Sequence, residues 1–166
     1  MAGLGAVHQV GESVAALLRD RRDLLAAAGA LGPVPASLSI AQLGAGRIDG
    51  ASPPSSGLTL TCYQATTSDH APARPQARQR PDRASVSLEL SYLMIPWSAE
   101  AEIEHGVLAW ASLELARYAT LDRSLLLGGV WERDETIQIV PEPLTGEALF
   151  SVFAALNLRL RLCATF

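Results

Sequence analysis

The sequence predicts an α/β (α+β) fold, one mixed and largely antiparallel sheet with helices packed on it. Three observations carry this. From Val86 the large apolar residues alternate through Leu88, Leu90, Tyr92 and Met94, a period of two that marks a half-buried strand. That strand turns through Pro96-Trp97 straight into an amphipathic helix. Around this unit the chain reads helix, strand, strand, long strand, helix, strand, helix, strand, without internal repeats, and a single mixed sheet with helices on it is the economical solution. A length of 166 residues with 49% hydrophobic content suits one domain, residues 1–166, able to bury about two-thirds of its unfolded surface.

Ser85, Ser87, Glu89 and Ser91 face away from the apolar side of the central strand. From Leu93 to Ile95 the polar side disappears, so the far end of the strand is expected to be covered on both faces. Pro96, with no N–H to donate, is expected to end the ladder. Ser98 is placed to cap the next helix, and Glu100, Glu102 and Glu104 put negative charge on its first turns, where the helix dipole favours it. Ile103, Val107, Trp110, Leu113 and Leu115 form its apolar stripe.

The remaining elements follow in order. Val7, Val10, Val14, Leu17, Leu18, Leu24 and Leu25 mark one face of an N-terminal helix, stopped by Gly29 and Gly32-Pro33. Leu38 to Leu43 is a short strand, and residues 44–57 have turn chemistry throughout. Leu58, Leu60 and Cys62 alternate with Thr59, Thr61 and Tyr63 in a second strand. After the central unit, Thr136 to Val140 is a strand closed by Pro141 and Pro143. Thr145 caps a helix whose apolar side is Leu149, Phe150, Val152 and Phe153, with Leu144 placed to staple to Leu149. Leu158, Leu160, Leu162, Ala164 and Phe166 alternate with Arg159, Arg161 and Thr165, which reads as a C-terminal strand with arginines on its outer face.

Residues 67–83 differ from everything else. They carry three prolines and four arginines and no large apolar residue, so they cannot bury anything and must project or be disordered. If this segment joins two adjacent antiparallel strands, it is an extended arm on a hairpin. Two readings stay open, a solvated loop and a basic arm that orders on an acidic partner.

Composition narrows the function classes. No apolar run approaches the ~20 residues that span a bilayer. The N-terminus has no basic region followed by an apolar core, so a cytoplasmic protein without a secretory signal is expected. Net charge of -4 argues against a general nucleic-acid binder. Every basic side chain other than histidine is arginine, a coding bias to which no mechanism attaches. Cys62 and Cys163 fall on inward strand positions and are expected as buried free thiols. HExxH, paired CxxC, GxSxG and GxxxxGK[ST] are all absent, and GLGAVHQVG near the start lacks the strand that a dinucleotide fingerprint requires. Asp69-His70 lies in the arm, where pre-organisation is poor. His105 sits beside Glu102 and Glu104 on the central helix, which points to a helix-surface hydrogen bond rather than general-base work. No catalytic, metal or cofactor residue is assigned.

The central stretch carries more than its chemistry. Leu90-Ser91-Tyr92-Leu93, then Trp97, then Glu104-His105 and Leu108 resemble the signature of the tail-terminator (cap) family of phage-tail-like contractile injection systems. In that family a strand reading roughly LxYLVTAW runs into a helix with an EHxLL-type motif. Here Met94-Ile95-Pro96 replaces Val-Thr-Ala, and Gly106-Val107 falls within the second motif. The N-terminal amphipathic helix, the Pro-rich segment before the signature strand, and a P-L-T…L-F-S-V-F helix before the last strand agree. The resemblance spans about Val7 to Phe166. It implies a hexameric ring that binds the last layer of inner tube and sheath and stops their polymerisation, without a chemical step, cofactor, nucleic acid or membrane. In that reading Arg74, Arg78, Arg80 and Arg83 of the arm reach a neighbouring subunit or the acidic surface of the sheath. Arg159 and Arg161 of the last strand, with its possible free edge, add contacts by strand pairing. Two alternatives compete, a head-completion or adaptor protein of a phage or prophage tail, and a small enzyme with a site around His105.

Overall fold

The computed structural model describes residues 5–48, 54–68, 87–133 and 135–166. The central strand, β3 (Leu88–Trp97), lies inside a four-stranded mixed sheet. Its long antiparallel partner is β2 (Gly57–Thr67), which in turn pairs in parallel with β1 (Ile40–Gln42). On the other side of β3 is a two-residue strand, β6 (Ala164–Thr165), so the order is β1-β2-β3-β6. A separate antiparallel ladder joins β4 (Thr120–Leu121) to β5 (Ile137–Gln138). The expected strand at 136–140 thus exists, but pairs outside the main sheet with a strand the hydrophobic pattern does not announce.

The two faces of β3 build two cores. Tyr92 and Met94 join Leu58 and Leu60 under α1 (Ala6–Ala27) and α2 (Ala101–Arg117), whose Val14, Leu17, Leu18, Val107, Ala111 and Leu115 fill the same cluster. Leu93, Ile95 and Trp97 face the other way and pack with Ile48 and with Phe153 of α3 (Gly146–Ala155). The disappearance of polar residues after Ser91 therefore does mark a strand covered on both faces. Leu93 and Ile95 are fully buried, each contributing about 1.5–3 kcal/mol relative to exposure.

The expected cap of α3 holds, and a buried serine adds a tie that was not expected. Thr145 caps α3, its hydroxyl accepting from the Ala148 N–H at 3.2 Å. Ser13, fully buried on α1, donates to the Gln9 carbonyl and accepts from the Leu127 N–H at 2.9 Å, which ties the 122–131 segment to that helix. Other expectations are corrected. Glu100, not Ser98, occupies the N-cap of α2; the Ser98 hydroxyl instead accepts the Glu100 N–H at 3.0 Å, a turn just ahead of the helix. Leu113 is 59% exposed, because the buried face of α2 runs through Val107, Ala111, Glu114 and Leu115. Leu88 is in phase with Tyr92 but 46% exposed, because the strand outruns the helices that cover its middle. Val86, the first residue of the expected alternation, lies outside the described residues.

Candidate partner interface

Beyond the core the hairpin of β2 and β3 continues as a two-stranded ribbon. Gln64 to Thr67 and Ser87 to Glu89 are exposed, yet the ladder runs on to Thr67↔Leu88, and the Ser68 N–H still donates to the Ser87 carbonyl at 3.0 Å. The proline- and arginine-rich segment therefore does join two adjacent antiparallel strands, and the described residues that flank it, Ser68 and Ser87, lie at the far end of this ribbon. Arg74, Arg78, Arg80 and Arg83 themselves lie outside the described residues.

The C-terminal segment departs most from expectation. Residues 158–166 alternate like a strand, but only Ala164 and Thr165 pair, with Met94 and Leu93. Tyr92 and Phe166 exchange both backbone bonds, so the even-numbered residues of β3 direct their backbone groups toward β6. In this register the next bonded pair beyond Met94↔Ala164 is Pro96↔Leu162. Pro96 has no N–H, and there the ladder stops. On its other side β3 does not end at Pro96: Leu58↔Pro96 and Gly57↔Trp97 continue the pairing with β2. That is possible because Leu58 and Pro96 face each other without a bond, the Leu58 N–H going to the Ser39 carbonyl at 2.7 Å. The proline thus ends one ladder and spares the other.

Arg161, expected on an outer face, is instead held within the chain. Its guanidinium lies 4.1 Å from the Trp97 ring centroid and donates to Glu104 Oε1 at 2.6 Å. Trp97 in turn donates through Nε1 to the Thr59 hydroxyl at 2.8 Å. Arg159, two residues earlier, is exposed and has no ion pair among the described residues. The outer edge of β6 is covered in part, since the Glu142 N–H donates to the Thr165 carbonyl at 3.0 Å and the Thr165 hydroxyl donates to the Glu142 carbonyl.

Three of the signature residues, Tyr92, Trp97 and Glu104, hold the fold. Tyr92 stacks on Phe166 at 5.7 Å, and burial pushes its phenol well above the ordinary tyrosine range. Trp97 and Glu104 form two sides of the clasp on Arg161. Gly106 is where α2 approaches the loop after α1: a Cβ there would sit 2.5 Å from Pro33 Cγ. His105 and Glu102 are exposed on the helix surface, while Glu104 is committed to Arg161. Cys62 and Cys163 are free thiols, half-buried on opposite faces of the sheet, and burial raises both above the usual thiol range.

Three features escape a reading by periodicity. Glu114 is 1% exposed, and its two carboxylate oxygens accept from Arg21 Nε at 2.8 Å and Arg117 at 2.6 Å. A carboxylate lying between Ala111 and Leu115 on an apolar stripe was the available signal. An apolar cleft of about 280 Å³ opens beside the C-terminus, lined in part by Met94, Leu115, Ala116, Ile139, Pro141 and Phe166. Phe150 and Val140 join Leu88, Leu113, Leu160 and Leu162 among the exposed large apolar side chains. Among the described residues no group of three or more His, Cys, Asp or Glu could hold a metal ion, and no helix is long and apolar enough to cross a membrane.

The described residues thus combine a central strand covered on both faces, a two-stranded ribbon that runs on beyond the core, and several exposed large apolar side chains. The family model of the Pvc16 N-terminal domain matches residues 9–166, so the chain belongs to that family and is a component of a phage-tail-like injection system. No curated protein gives a significant match.

Proposed function

We propose that this chain is the structural cap of a contractile injection system. It assembles as a hexameric ring on the end of the inner tube and sheath distal to the baseplate, and it stops both polymerisations. No chemical step, cofactor, nucleic acid or membrane is involved, and the protein works in the cytoplasm as part of the assembled particle. The observation that carries the reading is the family match over residues 9–166. The signature residues Tyr92, Trp97 and Glu104, with Gly106 inside the second motif, are spent on internal packing, which leaves specificity for partners to the ribbon, the arm and the exposed apolar side chains.

In a ring, weak contacts repeated in six subunits add up, because each further contact is made at high effective concentration. The arginines at 74, 78, 80 and 83 carry this out to a neighbouring subunit or to an acidic surface on the sheath. Native mass spectrometry of the purified chain, alone and with the tube and sheath proteins of the same particle, tests the reading. A six-subunit species that binds the end of preformed tube or sheath is expected. A monomer that binds neither, or a species that binds only a head-side component, sinks it and favours an adaptor.

A further inference from the structure

The contact made by Arg161 joins two parts of very different firmness. Its receiving half is fixed. Trp97 is 3% exposed, packs with Ile48, Leu93, Ile95 and Phe153, and donates its indole N–H to Thr59. Glu104 lies in the first turn of α2, and its own N–H donates to the Glu100 carbonyl at 3.0 Å. The other half is loose. Residues 159–163, which carry Arg161, make no backbone–backbone hydrogen bond among the described residues. Arg159, Leu160 and Leu162 are exposed.

The loose stretch runs between two firm ends. Before it, α3 closes through Asn157, at a φ of 54°, and the Leu158 N–H donates to the Phe153 carbonyl at 2.9 Å. After it, Ala164 and Thr165 pair with β3. Residues 159–163 are thus a strap between fixed points, with Cys163 half-buried at one end and Arg161 as its charged fastening. That fastening is incomplete. Arg161 Nε is buried with no hydrogen-bond partner, so the chain's own arginine leaves one donor unpaired.

Trp97 and Glu104 together supply what recognition of a guanidinium requires, a flat aromatic face 4.1 Å from its carbon and a carboxylate oxygen 2.6 Å from its nitrogen. Both are anchored by contacts that do not involve the strap, so they stay in place when it lifts and are pre-organised for a second guanidinium. We propose that Trp97 and Glu104 form a binding site for an arginine side chain of another copy, filled in the single chain by Arg161 on a strap that gives way. The matching groups are Arg74, Arg78, Arg80 and Arg83, in the segment that joins β2 to β3. The proposal rests on the ring reading above and names a receptor for the arm.

Two measurements on the full chain test it. A spin label at L162C, with the native cysteines removed (C62A/C163A), reads the strap by electron paramagnetic resonance. Ethylguanidinium is expected to raise the mobile fraction saturably, to the level of R161A, whereas ethylammonium, with the charge but not the plane, leaves it unchanged. Fluorescence of Trp97 in a W110F/W131F chain reads the site. With R161A, and with R161Q as the variant that keeps more of the stem, ethylguanidinium is expected to bind, and adding E104Q weakens it about tenfold. A peptide of residues 67–83 is expected to act at concentrations about tenfold lower than ethylguanidinium, because its four arginines share one chain. A label that ignores ethylguanidinium, or a Trp97 that does not respond to it in either arginine variant, overturns the site. A peptide no more effective than ethylguanidinium overturns its assignment to the arm. The ring reading survives both failures, since native mass spectrometry tests it separately.

Discussion

Replacing Arg161 by alanine removes the one side chain that fastens the C-terminal segment to two signature residues. The structure sets the magnitude. Stacking on Trp97 at 4.1 Å in a half-buried setting contributes about 1 kcal/mol. The charge-assisted bond to Glu104 at 2.6 Å contributes about 1.5 kcal/mol, reduced because the two side chains remain 28% and 18% exposed. Arg161 Nε is buried without a partner, which subtracts further. The net expectation for R161A is a loss of about 1.5–2 kcal/mol. With a urea slope of about 2 kcal/mol/M, the unfolding midpoint falls by about 0.8–1 M. R161K keeps a charge for Glu104 but loses the planar stack, and should cost about half as much. A double-mutant cycle of R161A with E104A should show a coupling of about 1 kcal/mol. An R161A midpoint within about 0.1 M of the parent, with no coupling to Glu104, would refute the clasp.

The other predictions can be read from the same denaturation series. G106A, which in an exposed helix would stabilise by about 1 kcal/mol, should instead destabilise by about 1 kcal/mol, because the new methyl meets the Pro33 ring at 2.5 Å; P33A should relieve it, and a stabilised G106A single variant would show that the loop yields freely. G11A meets only the tip of the Gln42 side chain and should be close to neutral. E114A should cost about 3 kcal/mol by stranding Arg21 beside a cavity, whereas R117A, removing a partner that is 62% exposed, should cost under about 1 kcal/mol; equal losses would contradict the assignment of the buried carboxylate to the α1–α2 junction. Burial raises Cys62, Cys163, Tyr63 and Tyr92 above their unfolded values, so the stability they contribute is fully present below about pH 8.5 and is lost as pH rises toward their folded values. The urea midpoint should accordingly fall between pH 8 and pH 10.5, and a midpoint that rises over that range would contradict the burial of these groups.

Much of the fold was legible because its signals are periodic. The loss of polar residues after Ser91 announced a strand covered on two faces, and Thr145 announced a helix start, each through a pattern confined to a few neighbours. What the sequence hid depends on pairing across the chain. Pro96 reads as a strand end, but whether it ends a ladder depends on which neighbour its nitrogen faces, and that is settled only by the register with β2 and β6. Arg161 reads as an outward strand residue because alternation continues to Phe166; once the ladder fails at Leu162, the side chain turns to Trp97 and Glu104. Strand β4 is two residues long, too short to show a period, and it is the partner of β5 that the sequence did not announce. The arm arginines were visible as a composition, and their partner surface is not written in it.

Termination of tube and sheath is the central function proposed for this protein. Electron microscopy of particles from cells with and without this gene measures it directly, as a distribution of tube and sheath lengths. Overlong or ragged tubes and sheaths in the deletion, restored to the parental length by the intact gene, are the predicted result. Capped particles of parental length in the deletion would contradict the central claim.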